Sequence, residues 1–104
     1  YRDADDLETL AMVLNNCGEV SIELGRIADG ERFHHEALDM ALKCGSAMRQ
    51  ASAYLGLGDA ARSRGDLAVA RTRWDTALAI FESEGSPRST EVRARLEDLS
   101  AAAC

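Results

Sequence analysis

The sequence predicts an all-α protein, a short α-solenoid of antiparallel helix pairs with about five helices. Three observations support this fold class. Hydrophobic residues make up 46% of the 104-residue chain but aromatic residues only 5%, so alanine and leucine must build the core, which suits closely packed helices. Proline, which interrupts helices, occurs once, at Pro87. The chain also repeats itself with a period of 40 residues.

Glycines carry most of this internal repeat. A shift of 40 residues superposes three glycine pairs, which are Gly18 with Gly58, Gly25 with Gly65, and Gly45 with Gly85. We therefore expect a single domain over residues 1–104, cut from a longer polypeptide. It would hold a first repeat at about 5–46, a second repeat at about 47–87 and a capping helix at about 88–103.

The first repeat is predicted to contain two helices, over residues 5–24 and 27–44. Apolar residues recur in both segments with the spacing of one helix face. Gly25 and Gly45 directly follow the two segments, and glycine after a helix commonly takes the left-handed conformation that ends it. Both glycines are therefore predicted helix stops.

The second repeat follows the same plan, with helices predicted over residues 48–64 and 67–84. Gly65 is the stop after the first of them. Asp66 can then cap the next helix, because its carboxylate can accept a hydrogen bond from a free backbone N–H group of the first turn. Gly85 ends the second helix of this repeat.

A fifth helix is predicted over residues 89–102, with Val92, Leu96 and Leu99 on one face. The loops between all these segments are short. Short loops make consecutive helices pack antiparallel, which completes the prediction of a solenoid.

Two glycines, Gly18 and Gly58, lie in the middle of predicted helices, where glycine costs ~1 kcal/mol against alanine. We expect each to allow a close helix crossing, with Gly30 facing Gly18 and Ala70 facing Gly58. The crossing can offset the cost. Gly56 has no comparable explanation in the sequence.

The spacing of these residues resembles the tetratricopeptide repeat. In the second repeat the matching positions are Tyr54, Leu57, Gly58, Ala61, Gly65, Asp66, Ala70, Trp74 and Ala77. In the first they are Leu14, Cys17, Gly18, Ser21, Gly25, Arg26, Gly30, His34 and Ala37, a weaker match in which His34 stands at the position of Trp74. A 40-residue period also suits HEAT repeats, but the small residues at the helix crossing favour the tetratricopeptide repeat.

The sequence of residues 55–99 is similar to the last such repeats of large bacterial transcriptional regulators. These are activators of the antibiotic-regulatory-protein type and LuxR-type signal-transduction ATPases. The resemblance implies a cytoplasmic regulatory arm, which binds an inducer or a partner and controls an attached ATPase or DNA-binding domain.

No group of residues in the sequence indicates catalysis. His34 and His35 are adjacent, so they point about 100° apart on a helix and cannot chelate one metal together. His35 and Glu31 share a face, but two ligands make a weak site. We therefore expect no enzyme activity, no metal and no cofactor.

The net charge and the cysteines restrict the kinds of partner and the cellular compartment to be expected. A net charge of −6 argues against direct contact with nucleic acid, and no stretch is apolar enough to span a membrane. Three cysteines without a paired spacing favour a reducing, cytoplasmic compartment. We expect Cys17 on a buried helix face and Cys104 in an exposed tail.

The resemblance implies a concave groove lined by the first helix of each repeat. Its positions in this chain are Met12, Asn15, Glu19, Ile22, Glu23, Ser52, Leu55, Asp59, Arg62 and Ser63. Seven of them are the predicted partner-binding residues: Asn15, Glu19, Ile22, Glu23, Leu55, Asp59 and Arg62. Such a groove favours a protein or peptide with Lys or Arg and apolar anchors. It lacks the lysines needed to grip a C-terminal carboxylate.

The leading hypothesis is therefore a non-catalytic protein-interaction module. One alternative is a sensing domain for a small-molecule inducer, which rests on the resemblance. Another is self-association as a homodimer, because the ends of a short solenoid leave helix faces uncovered. The predicted groove could also be a set of solvated helix faces without a ligand.

Overall fold

The computed structural model describes the backbone of residues 4–102 and the side chains of residues 6–101. Five helices make up this part of the chain: α1 (Ala4–Glu23), α2 (Ile27–Cys44), α3 (Ala47–Ser63), α4 (Leu67–Ser83) and α5 (Ser89–Ala102). Residues 4–102 contain no strand. The predicted all-α fold class is confirmed, and every helix lies close to its predicted bounds.

Each helix packs against the next one along the chain, and α1 also contacts α3. The first helices of the two repeats therefore lie side by side. The molecule measures 49 × 31 × 17 Å, as expected for helix pairs stacked along one direction. The division into two repeats and a capping helix remains a prediction.

The loop between α3 and α4 shows how one helix of the repeat ends before the next begins. Gly65 has φ +84°, a left-handed conformation that costs a residue with a side chain more than it costs glycine. Its N–H donates to the Arg62 carbonyl at 2.9 Å, and the N–H of Asp66 donates to the Ala61 carbonyl at 2.9 Å. These two bonds satisfy carbonyls that the end of α3 leaves free. The predicted glycine stop is confirmed.

The carboxylate of Asp66 begins the next helix by accepting a hydrogen bond from the N–H of Val69 at 3.3 Å. Ser46 does the same for α3, since its hydroxyl oxygen accepts from the N–H of Arg49 at 3.3 Å. The predicted cap of α4 is thus confirmed. Both capping side chains supply acceptors to helix ends whose N–H groups have none.

The core of the second repeat is built around Trp74 and Phe81, both fully buried. Val92 and Leu99 of α5 pack into the same core, and Leu96 lies beside it. Small residues fill the space between the helices, with Ala51, Ala61, Ala70 and Ala77 all fully buried. The core is therefore made of alanines around a few large side chains, as the composition predicted, and α5 is held by its predicted apolar face.

The mid-helix glycines Gly18 and Gly58 each contact a ring on the second helix of their repeat, which is His34 for Gly18 and Trp74 for Gly58. A Cβ on Gly58 would meet the indole of Trp74 first, so this glycine seats a ring, and the nearest atoms are not those of Ala70. A Cβ on Gly30 would lie 3.0 Å from the Gly18 carbonyl oxygen. The predicted close crossing of α1 and α2 at Gly18 and Gly30 is confirmed.

The cysteine predictions had different outcomes. Cys17 was expected on a buried helix face, but the structure leaves it partly exposed on α1. Cys104 lies outside the described residues.

Candidate binding cleft

A cleft of about 360 Å³ lies between α1, α3 and α5. The predicted groove positions that line it are Met12, Asn15, Glu19, Ile22, Glu23, Ser52, Leu55 and Asp59. Arg62 and Ser63 instead border a shallower depression, which shares Ile22 and Asp59 with the cleft. The structure thus brings the predicted residues together, while their role in binding remains a prediction.

The floor of the cleft contains His34, which is 1% exposed. Its Nδ1 lies 2.9 Å from Oδ1 of Asn15, whose Nδ2 donates to the Arg49 carbonyl at 3.4 Å. Because the amide donates to that carbonyl, its oxygen faces His34 and accepts from Nδ1–H. Nε2 is then the unprotonated nitrogen. Asn15, itself 6% exposed, is committed to hydrogen bonds inside the protein.

Burial lowers the pKa of His34 to about 4, with a smaller contribution from the charge of His35. The imidazole is therefore neutral at pH 7. Its Nε2 has no hydrogen-bond partner among the described residues. A buried acceptor without a partner is unfavourable. Arg49 Nε, another cleft atom without a hydrogen-bond partner in the described part of the chain, at least lies 3.6 Å from the Glu8 carboxylate.

Two glycines hold the His34 ring in place. A Cβ on Gly18 of α1 or on Gly56 of α3 would collide with the imidazole, so the ring is clamped between two helix backbones. This contact explains Gly56, which the sequence left unexplained. The missing side chains on α1 and α3 allow one residue of α2 to touch both helices.

The second repeat places Trp74 where the first places His34. The indole N–H of Trp74 lies 3.2 Å from the Leu55 carbonyl oxygen and 3.2 Å from Oδ1 of Asp59. Arg95 of α5 donates to both carboxylate oxygens of Asp59, at 2.8 and 3.3 Å. Asp59 therefore joins α3, α4 and α5.

The pKa of Asp59 is raised because burial penalises its charged form, although Arg95, Trp74 and Arg62 all favour that form. The bidentate pair with Arg95 balances the negative charge within the protein. Asp59 was predicted as an acidic group of the groove. The structure uses it to bind the protein's own arginine.

The carboxylates of α1 are in a different situation. Glu19 and Glu23 are exposed, lie one helical turn apart and border the cleft. Neither forms an ion pair within residues 6–101. Arg49, a cation of the same cleft, lies 3.6 Å from Glu8 instead. The α1 wall of the cleft therefore carries two carboxylates that no described residue pairs with directly.

The sequence interpretation missed the contribution of α5 and of Arg88, the residue before it. Arg88 donates to the Ser52 hydroxyl at 2.7 Å and lies 5.2 Å from the ring centre of Phe81. Arg88, Glu91 and Arg95 close the third side of the cleft. Their spacing of three, four and seven residues places them on one helix face, a signal that was available in the sequence. The predicted groove contains residues of the first helices of the two repeats only.

The described residues contain no group of three or more His, Cys, Asp and Glu that could hold a metal ion. Within residues 4–102, no helix combines the length and apolarity that crossing a membrane requires. The chemistry available in the cleft is therefore that of carboxylates, arginines, amides and one neutral imidazole.

Comparison with known proteins agrees with this architecture. A protein-family model described as tetratricopeptide repeat matches residues 9–83, which cover both predicted helix pairs. No curated protein and no solved structure matches the chain significantly. Tetratricopeptide repeat domains are generally non-catalytic and mediate contacts between proteins. The matched region is most of the chain, and the chain belongs to the tetratricopeptide repeat family.

Proposed function

We propose that this chain is a non-catalytic protein-interaction module whose cleft binds a peptide segment of a partner protein. The observation that carries the proposal is the cleft itself. It is open, it is formed by three helices, and its α1 wall presents Glu19 and Glu23, which have no ion-pair partner among the described residues. A complementary partner segment would supply those charges.

The partner segment should carry Lys or Arg together with apolar side chains. Met12 and Ile22 line the cleft beside the two glutamates, so apolar and acidic surface alternate along α1. A helix face of this kind suits a peptide that inserts anchors at regular spacing. Nucleic acid is a poor candidate, because the net charge of −6 would repel phosphates.

The larger setting that we propose is a cytoplasmic transcriptional regulator of a bacterium, in which this module is a regulatory arm. The support is the likeness of residues 55–99 to the terminal repeats of such regulators. A sensor for a small-molecule inducer is a second candidate in the same setting. The cleft volume of about 360 Å³ lies within the range of small-molecule pockets and favours it.

Self-association is favoured by an exposed apolar stripe on α1 and the residue after its end. Its members are Val13, Val20 and Leu24, which are 45%, 52% and 66% exposed. The residues 40 positions after the two valines are Ala53 and Ala60, both fully buried in the second repeat. The equivalent face of α3 thus packs against other helices. A second copy of the chain, pairing α1 with α1, would cover the stripe on α1 in the same way.

The experiment that tests the main proposal is selection of a random peptide library against the immobilised domain. The binding site is then mapped by backbone amide NMR. We expect selected peptides to shift the resonances of Glu19, Ile22 and Ser52. Binders that map to the outer face of α2 and α4, or no binders, would contradict it. Sedimentation and a thermal-shift screen of metabolites test the other two candidates.

A further inference from the structure

The second repeat shows how the cleft accommodates an arginine. Arg95 crosses from α5 and donates two hydrogen bonds to Asp59, at 2.8 and 3.3 Å. The same carboxylate lies 3.2 Å from the indole nitrogen of Trp74. An arginine, an acid on a first helix and a ring on a second helix therefore form one hydrogen-bonded group.

The first repeat has the acid and the ring but not the arginine. Forty residues before Asp59 stands Glu19, which is exposed on the cleft wall and unpaired within residues 6–101. Arg49 is the α3 cation of the cleft, and it is engaged with Glu8. Glu23, one turn along α1, adds a second carboxylate on the same wall.

The ring supplies an independent sign of a missing donor. Trp74 has acceptors for its indole N–H, whereas Nε2 of His34 is an acceptor without any donor among the described residues. His34 is 1% exposed and borders the cleft. A buried acceptor on the floor of an open cleft is satisfied when a ligand brings a donor.

We infer that the first-repeat half of the cleft binds an arginine side chain of the partner segment. Its guanidinium donates to the Glu19 carboxylate and to Nε2 of His34. This inference rests on the proposed function and specifies the partner's chemistry. Arginine fits better than lysine, because its planar group offers five donors in fixed directions. Arg95 shows that the other half of the cleft already uses this residue type.

The test uses peptides selected against the domain. In each peptide, every arginine is replaced in turn by citrulline, which keeps the shape and removes the charge. Dissociation constants are measured with the unchanged protein, with Glu19→Gln and with Glu36→Gln. Glu36 is an exposed glutamate on α2 outside the cleft and serves as the matched control.

We expect one arginine whose replacement weakens binding about tenfold with the unchanged protein and with Glu36→Gln, but less than about twofold with Glu19→Gln. The ring ¹⁵N resonance of His34 Nε2 should also move on binding, because that nitrogen gains a donor. A histidine resonance that does not move while the peptide occupies the cleft would contradict the bond to His34.

Different results would overturn the arginine site and the peptide-binding function. Peptides that occupy the cleft, as mapped by NMR, but show no arginine coupled to Glu19 would overturn the arginine site and leave the interaction module standing. Absence of any peptide in the cleft would overturn both.

Discussion

The backbone of Gly56 on α3 lies directly against the imidazole of His34 on α2, with no room for a Cβ between them. Gly18 contacts the same ring from α1. One buried side chain thereby fixes the positions of three helices.

Gly56→Ala should lower the free energy of unfolding by about 1–3 kcal/mol, although alanine is the better helix former by ~1 kcal/mol. The added methyl group must displace the His34 ring. Urea denaturation followed by circular dichroism measures the change. In a His34→Ala background the same substitution should become stabilising, and an equal loss in both backgrounds would show that the ring contact is not the cause.

The stability of the domain should decrease as the pH falls from about 6.5 to about 4. The folded protein keeps His34 neutral down to a pKa of about 4, whereas the unfolded chain titrates near the ordinary value of 6.5. The unfolded state binds more protons in this window, so protonation favours unfolding by roughly 3 kcal/mol at the acidic end.

A His34→Leu variant, measured by urea denaturation at several pH values, isolates this effect. Asp59, whose pKa is raised, contributes a slope of the opposite sign, because its folded state takes up protons first as the pH falls. Subtracting the variant's profile from that of the unchanged protein cancels the Asp59 contribution. A difference that does not change with pH would contradict the assignment.

Arg95→Met should lower the free energy of unfolding by about 1–3 kcal/mol, since it leaves the half-buried Asp59 without its bidentate partner. Hydrogen exchange at Val92 and Leu99 should accelerate as α5 loosens. Arg93→Met is the control, because Arg93 pairs with Glu82 on the surface and such pairs contribute about 0–1 kcal/mol. Equal effects of the two substitutions would contradict the role of Asp59.

Glu19→Gln should leave the free energy of unfolding within about 0.5 kcal/mol of the unchanged protein. Glu19 has no ion pair in residues 6–101, and Glu23, one turn away, repels it. Urea denaturation followed by circular dichroism measures the free energy of unfolding of this variant. A loss of stability above that size would mean that Glu19 supports the fold, and that its side chain is not held available for a partner.

The helices were predictable because each boundary is encoded locally. Gly65 and Asp66 end one helix and begin the next through hydrogen bonds within a few residues. The cleft was predictable only in outline, since the repeat register places Glu19 and Asp59 on one face. Among the described residues, Asp59 and not Glu19 is paired because Arg95 of α5 reaches it. Arg95 lies 36 residues after Asp59 in the sequence, so the repeat pattern gives no sign of this contact.

The role of Gly56 was not predictable for a similar reason. Its counterpart in the first repeat is Asn16, so the repeat register offers no glycine pair. The cause lies in the ring of His34 on the neighbouring helix, a contact that becomes evident when the helices are stacked. Likewise the unsatisfied Nε2 depends on how Asn15 orients its amide toward Arg49.

The hydrogen bonds of Trp74 make this residue an intrinsic fluorescent probe of the cleft. This residue is the chain's single tryptophan, and its indole N–H bonds to the carboxylate that Arg95 also holds. Undocking of α5 would therefore alter the polarity around the indole, and with it the emission wavelength. A label-free optical signal for events at the cleft is built into the second repeat.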